Sequence, residues 1–216
     1  MKRQHHLGVL GFVLLIGTGL FAQGTPTAPP PPPPDQQPWA YSLTTDGYIA
    51  PKGQSYVSPV FTADHDWLHL EARYNYENQR TGSLWAGYNF SAGKKLQLAV
   101  TPMIGGVFGD TTGIAPGCEL SLTYKKLQFT SSSEYVFDTG DQAGSFFYSW
   151  PELTYSLLDW LKIGFAAQHT KSYHTSLDTQ RGLLVGVSYK KFEFTTYIMN
   201  PDLDQPTTIL ELGVTF

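Results

Sequence analysis

The chain has 216 residues, of which 14% are aromatic and only 15% are charged, and its formal net charge is −4. This balance excludes a basic nucleic-acid surface, and the single cysteine, Cys118, excludes an internal disulfide framework. Few charges together with many aromatic residues and glycines are typical of a β-rich protein that faces something other than water.

The first 22 residues have the parts of a secretory signal peptide. A basic head, MKRQHH, precedes an uncharged apolar run that ends at the small residue Ala22. The run is shorter than the roughly 20 residues of a spanning helix, although an uncleaved membrane anchor is the alternative interpretation. Cleavage after residue 22 would remove Lys2 and Arg3 and so change the net charge from −4 to −6.

Residues 23–38 form a proline-rich segment that contains GTPTAPPPPPPDQQP. Such a composition is typical of extended polyproline II outside any hydrophobic core. We interpret the segment as a spacer between the signal peptide and a folded domain at residues 39–216. Binding to a partner that recognises proline-rich sequences is the alternative.

From residue 39 onward the sequence alternates between apolar and polar residues in short stretches separated by turn residues. In one stretch, for example, Leu161, Ile163 and Phe165 alternate with Lys162 and Gly164. Counting such stretches predicts about twelve strands, and ten is the alternative count. Prolines at positions 59, 102 and 151 fit this interpretation least well, because proline cannot donate a hydrogen bond to a sheet.

The predicted connections alternate between tight turns and longer polar loops. YKKL at 124–127 and YKKF at 189–192 are consistent with two-residue hairpin turns, in which the flanking residues share one face. The connections that alternate with these turns along the chain, such as YENQRTG and TKSYHTSLDTQ, are longer and more polar. Short turns on one rim and long loops on the other are typical of a membrane-spanning barrel.

Aromatic residues gather near the predicted strand ends. Those on the short-turn side are Trp39, Trp67, Phe90, Tyr124, Trp160, Tyr189, Phe192 and Phe216, and those on the loop side are Tyr74, Tyr76, Phe108, Phe137, Phe147 and Tyr173. Two such girdles mark the interfaces of a membrane protein. The predicted fold class is therefore all-β, a transmembrane antiparallel up-and-down β-barrel.

The chain ends in ILELGVTF, a strand whose apolar residues alternate up to the last position. With the signal peptide and the amphipathic strands, this ending resembles a Gram-negative outer-membrane β-barrel protein of the porin-like superfamily, without indicating a subfamily. In that superfamily the last strand is the signal that the barrel-assembly machinery recognises. The resemblance assigns this role to Leu210, Leu212, Gly213, Val214 and Phe216. It also implies an outer-membrane location, periplasmic termini, and lipid, lipopolysaccharide and the assembly machinery as partners.

If the apolar faces contact lipid, the opposite faces line the lumen. A charge that faces lipid costs about 2–4 kcal/mol near the bilayer midplane, which favours placing charged side chains inside. The residues predicted to line the lumen are His69, Glu71, Arg73, Glu119, Glu134, Glu152, Lys162, Gln168, Arg181, Glu193 and Glu211. Acids outnumber bases in this set, so a lumen of this kind would favour cations.

Two functions follow from such an interior. The first is a small porin-like channel for small solutes. The alternative is a non-conducting structural or surface-interaction barrel, in which Arg73, Lys162 and Arg181 pair with the glutamates and plug the interior.

A third function, an outer-membrane lipid hydrolase, depends on the segment YHTSLD. His174, Ser176 and Asp178 would share one face of an extended strand there. This locally resembles the His-x-Ser pair of the outer-membrane phospholipase, but Leu177 and Asp178 follow where that enzyme continues with Asn-Gly. We therefore interpret the segment as an ordinary loop and predict no enzymatic activity.

The sequence predicts no catalytic, cofactor-binding or metal-binding residues and no nucleic-acid partner, and it leaves the oligomeric state open. No ligand loop such as an EF-hand is present. Cys118 alternates with Glu119 and is predicted to face lipid, where a thiol is unreactive.

Overall fold

The computed structural model describes residues 38–49, 55–140, 144–172, 178–204 and 206–216. The predicted signal peptide (1–22) and the linker (23–38), except its last residue, lie outside these ranges. No helix among the described residues is long and apolar enough to cross a membrane. The strands are β1 (Ala40–Ile49), β2 (Tyr56–His65), β3 (Leu68–Tyr74), β4 (Thr81–Tyr88), β5 (Phe90–Ala92), β6 (Leu96–Gly109), β7 (Gly113–Tyr124), β8 (Leu127–Asp138), β9 (Phe146–Leu158), β10 (Leu161–Ser172), β11 (Asp178–Tyr189), β12 (Phe192–Met199) and β13 (Thr207–Thr215).

These strands close into one antiparallel barrel of twelve spanning strands. β4 and β5 are two parts of one spanning strand, because both pair with β6. The first and last strands close the barrel, with Ser42 opposite Thr215 and Ile49 opposite Thr208. The Phe216 N–H also donates to the Tyr41 carbonyl oxygen at 2.9 Å. Closure removes every sheet edge, and it confirms the predicted fold class and the count of twelve.

The two rims of the barrel differ as predicted. One end of the barrel, which we call the turn rim, contains the connections 66–67, 93–95, 125–126, 159–160 and 190–191. The start of β1 and the end of β13 also lie at this rim. The loop rim is the opposite end of the barrel, where successive strands are separated in sequence by three to seven residues. Of the connections there, 75–80 and 110–112 are described throughout. Asp66, Lys125 and Lys190 each begin a tight turn with a positive φ of 51–56°. This left-handed conformation matches the twist of the strands that such short turns join.

The outer wall carries a band of exposed apolar side chains. Phe165 is 65% exposed, and its lateral neighbours Leu153 and Leu183 are 42% and 49% exposed. All eight aromatic residues predicted for the short-turn girdle are exposed on the turn rim. A closed sheet pairs the backbone groups of neighbouring strands with one another beneath an apolar outer surface, as a membrane-spanning β-structure requires.

The loop-side girdle is less complete than predicted. Tyr74, Phe108 and Phe137 are exposed there, and Phe147 is partly buried. Tyr173 lies outside the described residues. Tyr76 does not belong to this girdle, since its ring points into the barrel, as described below.

Each proline inside a strand coincides with an interruption of the hydrogen-bond ladder. Pro102 lies opposite the break between β4 and β5, where pairing stops after Gly87–Met103. Pro151 lies at the gap in the β9–β10 ladder and Pro116 at the gap in the β7–β8 ladder. Pro59 lies where the β2–β3 ladder ends. The missing N–H of proline accounts for these local losses, so the closed barrel accommodates prolines without losing the strands.

Candidate functional site: the barrel interior

The alternation of β3 carries three polar side chains into the barrel. His69, Glu71 and Arg73 are each 5% exposed or less, while Leu70 and Tyr74 between and beside them are exposed on the outer wall. Successive residues of a strand point to opposite faces. One short strand therefore presents an arginine, a glutamate and a histidine side by side on the interior face.

Arg73 is the centre of a buried ion cluster, which we call the Arg73 cluster. Its Nε donates to Glu71 Oε2 at 2.5 Å, and its Nη1 donates to Glu134 Oε2 at 2.8 Å on β8, across the barrel. Glu77 Oε1 lies 3.8 Å from Nη1. The side chains of all four residues are at most 2% exposed. One guanidinium is therefore the shared cationic neighbour of three buried acids, whose desolvation would be more costly without it.

His69 extends this cluster toward the turn rim. Its Nδ1 lies 2.8 Å from Asp64 Oδ1, and its Nε2 lies 2.9 Å from Glu71 Oε1. An ionised carboxylate accepts hydrogen bonds but cannot donate them, so both ring nitrogens of His69 must donate. This geometry therefore suits the doubly protonated imidazolium ring. The ligand atoms of His69, Glu71 and Glu119 all lie within 4.8 Å of one another. Because Glu71 already binds both His69 and the Arg73 guanidinium, we assign no metal there.

The connection between β3 and β4 folds back into the barrel. The Arg73 guanidinium lies 4.5 Å from the Tyr76 ring centre, and the Tyr76 and Tyr148 rings meet edge to face at 5.6 Å. Glu77 accepts hydrogen bonds from Ser83 Oγ at 2.5 Å and from Trp85 Nε1 at 3.2 Å. The girdle prediction for Tyr76 is therefore wrong, because cation–π contact and the buried acid hold this connection inside.

Two apolar clusters fill the loop half of the interior. They consist of Trp85, Met103, Val107, Ala115 and Val136, and of Ala166, Leu184, Tyr197, Met199 and Ile209. Gly105 makes room for the Trp85 indole, since a Cβ at that position would overlap the ring. These inward apolar residues were not predicted, because they interrupt the polar face of their strands.

A second group of acids, which we call the acidic cluster, lies on the opposite side of the interior. The Tyr197 hydroxyl lies 2.9 Å from Glu152 Oε1 and 3.1 Å from Glu211 Oε2, and Trp150 Nε1 donates to Glu152 Oε1 at 2.6 Å. Asp46 lies opposite Glu211 on the neighbouring strand, and its Oδ1 is buried without a hydrogen-bond partner. Asp46 was not among the predicted lumen residues, although it shares the inward face of β1 with Ser42 and Thr44.

A cavity of about 380 Å³ separates the two clusters. Its acidic lining residues are Asp46, Asp64, Glu71, Glu119, Glu152 and Glu211. Among the described residues that line it, His69 is the only basic one. A second cavity of about 370 Å³ reaches Lys190 at the turn rim and shares Ser42, Thr44 and Glu211 with the first. The interior space therefore continues toward the turn rim, while the loop half is filled.

Three further residues that were predicted to line the lumen lie outside the two clusters. Lys162 and Glu193 form a partly exposed ion pair with each other. Gln168 is partly buried and lies opposite Gln180 of β11.

The prediction that Arg181 lines the lumen is wrong. Its position on β11 has the outward parity of Leu183 and Val185, and its side chain is 74% exposed. At the loop rim its Nη2 donates to Asp202 Oδ2 at 2.8 Å, and this bond lowers the pKa of Asp202. An arginine near the end of an outward face can reach water in this way without facing the lumen.

No family model and no curated protein matches this sequence. Solved structures of similar fold include the following two. One is the KdgM porin, with a TM-score of 0.57 and 12% identity over 81% of this chain and 99% of that chain. The other is the KdgM porin in complex with disordered oligogalacturonate, with a TM-score of 0.58 and 12% identity over 82% and 99%. The chain thus has the closed β-barrel fold of an outer-membrane porin.

Proposed function

We propose that this protein is a small porin-like channel of the outer membrane for small solutes, with an interior that favours cations over anions. The observation that carries the proposal is the acidic cavity inside a closed transmembrane barrel. Six acidic side chains with one histidine among the described lining residues give the cavity an excess of acids over bases, and rings of acids favour cations in channels.

The charge of the interior also bears on the kind of solute. One of the similar structures is a porin in complex with oligogalacturonate, whose sugar units carry carboxylate groups. In this chain Asp46, Glu152 and Glu211 would repel such a polyanion. We propose that the solutes are neutral or cationic molecules that fit a cavity of about 380 Å³.

Neutralising the acidic cluster should reduce cation selectivity. In water, the interaction energy between a carboxylate and a permeating ion about 8 Å away is about 0.5 kcal/mol. Each neutralised carboxylate should therefore lower the preference for K⁺ over Cl⁻ about twofold. Planar-bilayer reversal potentials of wild type, Asp46→Asn and Glu211→Gln measure this preference. Asp202→Asn is the matched control, because Asp202 is exposed on the loop rim. An anion-selective wild type, or variants with unchanged selectivity, would contradict the proposal.

The non-conducting barrel is the second candidate, and the filled loop half favours it. The Arg73 cluster and the two apolar clusters occupy much of the interior between β3 and β13. The same recordings decide between the candidates. Correctly folded wild type that gives no conductance steps above background would assign the structural role. We propose no enzymatic role; His174 and Ser176, on which the hydrolase hypothesis depends, lie outside the described residues.

We also propose that the last strand carries the signal for the barrel-assembly machinery. Leu212 and Phe216 are 52% and 64% exposed on the outer wall, so both are accessible there. Deleting Phe216 should reduce insertion into the outer membrane of cells. Quantification of the folded, heat-modifiable band in outer-membrane fractions measures this.

The control for the deletion is Phe192→Ala. This change also removes an exposed aromatic side chain from the turn rim, but from the start of β12 and not from the last strand. Refolding into lipid vesicles without the machinery separates recognition from stability. A defect in cells with normal refolding in vesicles would support a recognition signal. Normal insertion of the truncated chain in cells would refute it.

A further inference from the structure

Three pairs of lysines occupy the turn rim. They are Lys94–Lys95, Lys125–Lys126 and Lys190–Lys191, in three of the five turns of this rim, and all six side chains are exposed. The only acids in the five turns are Asp66 and Asp159, which lie in the two turns without lysine pairs. One rim of the barrel is therefore strongly positive although the whole chain is acidic.

In the part of the chain that the structure describes, these lysines have no acidic partners. Among the described residues, which include all five turns, none of the six forms an ion pair. On the loop rim, by contrast, Arg80 pairs with Asp110 and Arg181 pairs with Asp202. The excess positive charge of the turn rim thus remains available to an external anion.

Aromatic rings of the girdle hold several of these ammonium groups at the level of the membrane interface. Lys125 Nζ lies 5.4 Å from the Tyr124 ring centre, and Lys190 Nζ lies 5.3 Å from that of Tyr189. Lys191 Nζ lies 5.3 Å from the Phe216 ring centre. Cation–π contacts of this kind keep the charges beside the wall of the barrel, where lipid headgroups lie.

We propose that the lysine pairs of the turn rim bind the headgroups of anionic phospholipids. The phosphate oxygens would accept hydrogen bonds from the paired ammonium groups, while the acyl chains lie along the apolar outer wall. A zwitterionic headgroup fits less well, because its own ammonium offsets the phosphate charge. The proposal depends on the membrane-spanning fold and not on whether the interior conducts.

The tryptophans of the chain supply a local reporter for such binding. Trp39, Trp67 and Trp160 are exposed on the turn rim, whereas Trp85 is 3% exposed and Trp150 contacts Glu152 inside the barrel. Lipids with brominated chains quench tryptophans that they touch. Quenching by brominated phosphatidylglycerol, compared with brominated phosphatidylcholine, therefore reports which lipid occupies the turn rim.

The experiment uses the full chain refolded into vesicles of phosphatidylcholine that contain either brominated lipid. Surface lysines contribute about 1 kcal/mol each toward anionic lipid, so we expect phosphatidylglycerol to be preferred at least about fivefold in low salt. Because screening shortens the range of these charges, the preference should fall toward unity at about 1 M NaCl. Equal quenching by both lipids in low salt would overturn the proposal.

Variants locate the effect. Changing all six lysines to glutamine should abolish the preference, whereas changing all six to arginine should preserve it. The matched control replaces Arg80, Lys171 and Arg181 of the loop rim with glutamine, and it should behave as wild type. If the sixfold glutamine variant does not fold, the three separate pair variants replace it. Retention of the full preference in the glutamine variants would refute binding at these lysines.

Discussion

Replacing Arg73 with methionine should lower the free energy of unfolding by about 3–5 kcal/mol, the usual cost of breaking a buried ion pair by removing one partner. Glu71 and Glu134 would keep their buried positions and lose the guanidinium that they both contact. Glu77 would lose its nearest cation as well. Urea unfolding of the refolded barrel in vesicles, followed by tryptophan fluorescence, measures the change.

Two further variants test this explanation. Arg181→Met removes an exposed ion pair and should cost no more than about 1 kcal/mol. The triple variant Arg73→Met, Glu71→Gln, Glu134→Gln should regain much of the lost stability, because it leaves two fewer uncompensated charges. A loss below about 0.5 kcal/mol in Arg73→Met, within the range of ordinary surface substitutions, would contradict the interpretation of the cluster.

Replacing Phe165 with arginine should lower the free energy of unfolding in a bilayer by about 2–4 kcal/mol, the cost of a lipid-facing arginine near the midplane. Phe165 is 65% exposed on the outer wall between Leu153 and Leu183. In a water-soluble sheet an exposed phenylalanine would tolerate this change. Reversible urea unfolding in vesicles of wild type and variant gives the difference.

The control for this variant is the same substitution at a position nearer the membrane interface. Tyr189 is 69% exposed on the turn rim, where arginine should cost only about 0–1 kcal/mol. Phe165→Leu keeps an apolar side chain at the same position and should have a small effect. If arginine has the same effect at Phe165 and Tyr189, the outer wall does not face a membrane.

The sequence by itself predicted the strands and the closed barrel. Alternation in stretches such as Leu161 to Ala167 assigns one face of each strand to an apolar environment, and the tight turns set neighbouring strands in register. Even the strands that contain Pro102 and Pro151 were predicted, because proline removes one ladder bond and leaves the alternation intact. These features are local, so a linear sequence contains them.

Only the tertiary structure decided which interior residues meet. Arg73 and Glu134 are 61 positions apart, and their contact depends on the diameter and stagger of the closed barrel, which alternation does not specify. The inward turn of Tyr76 likewise depends on its contact with Arg73. The outward position of Arg181, by contrast, follows from the alternation of β11, in which it shares the parity of Leu183 and Val185. Alternation assigns a side chain to a face, whereas charge compensation inside the barrel requires a partner on a distant strand.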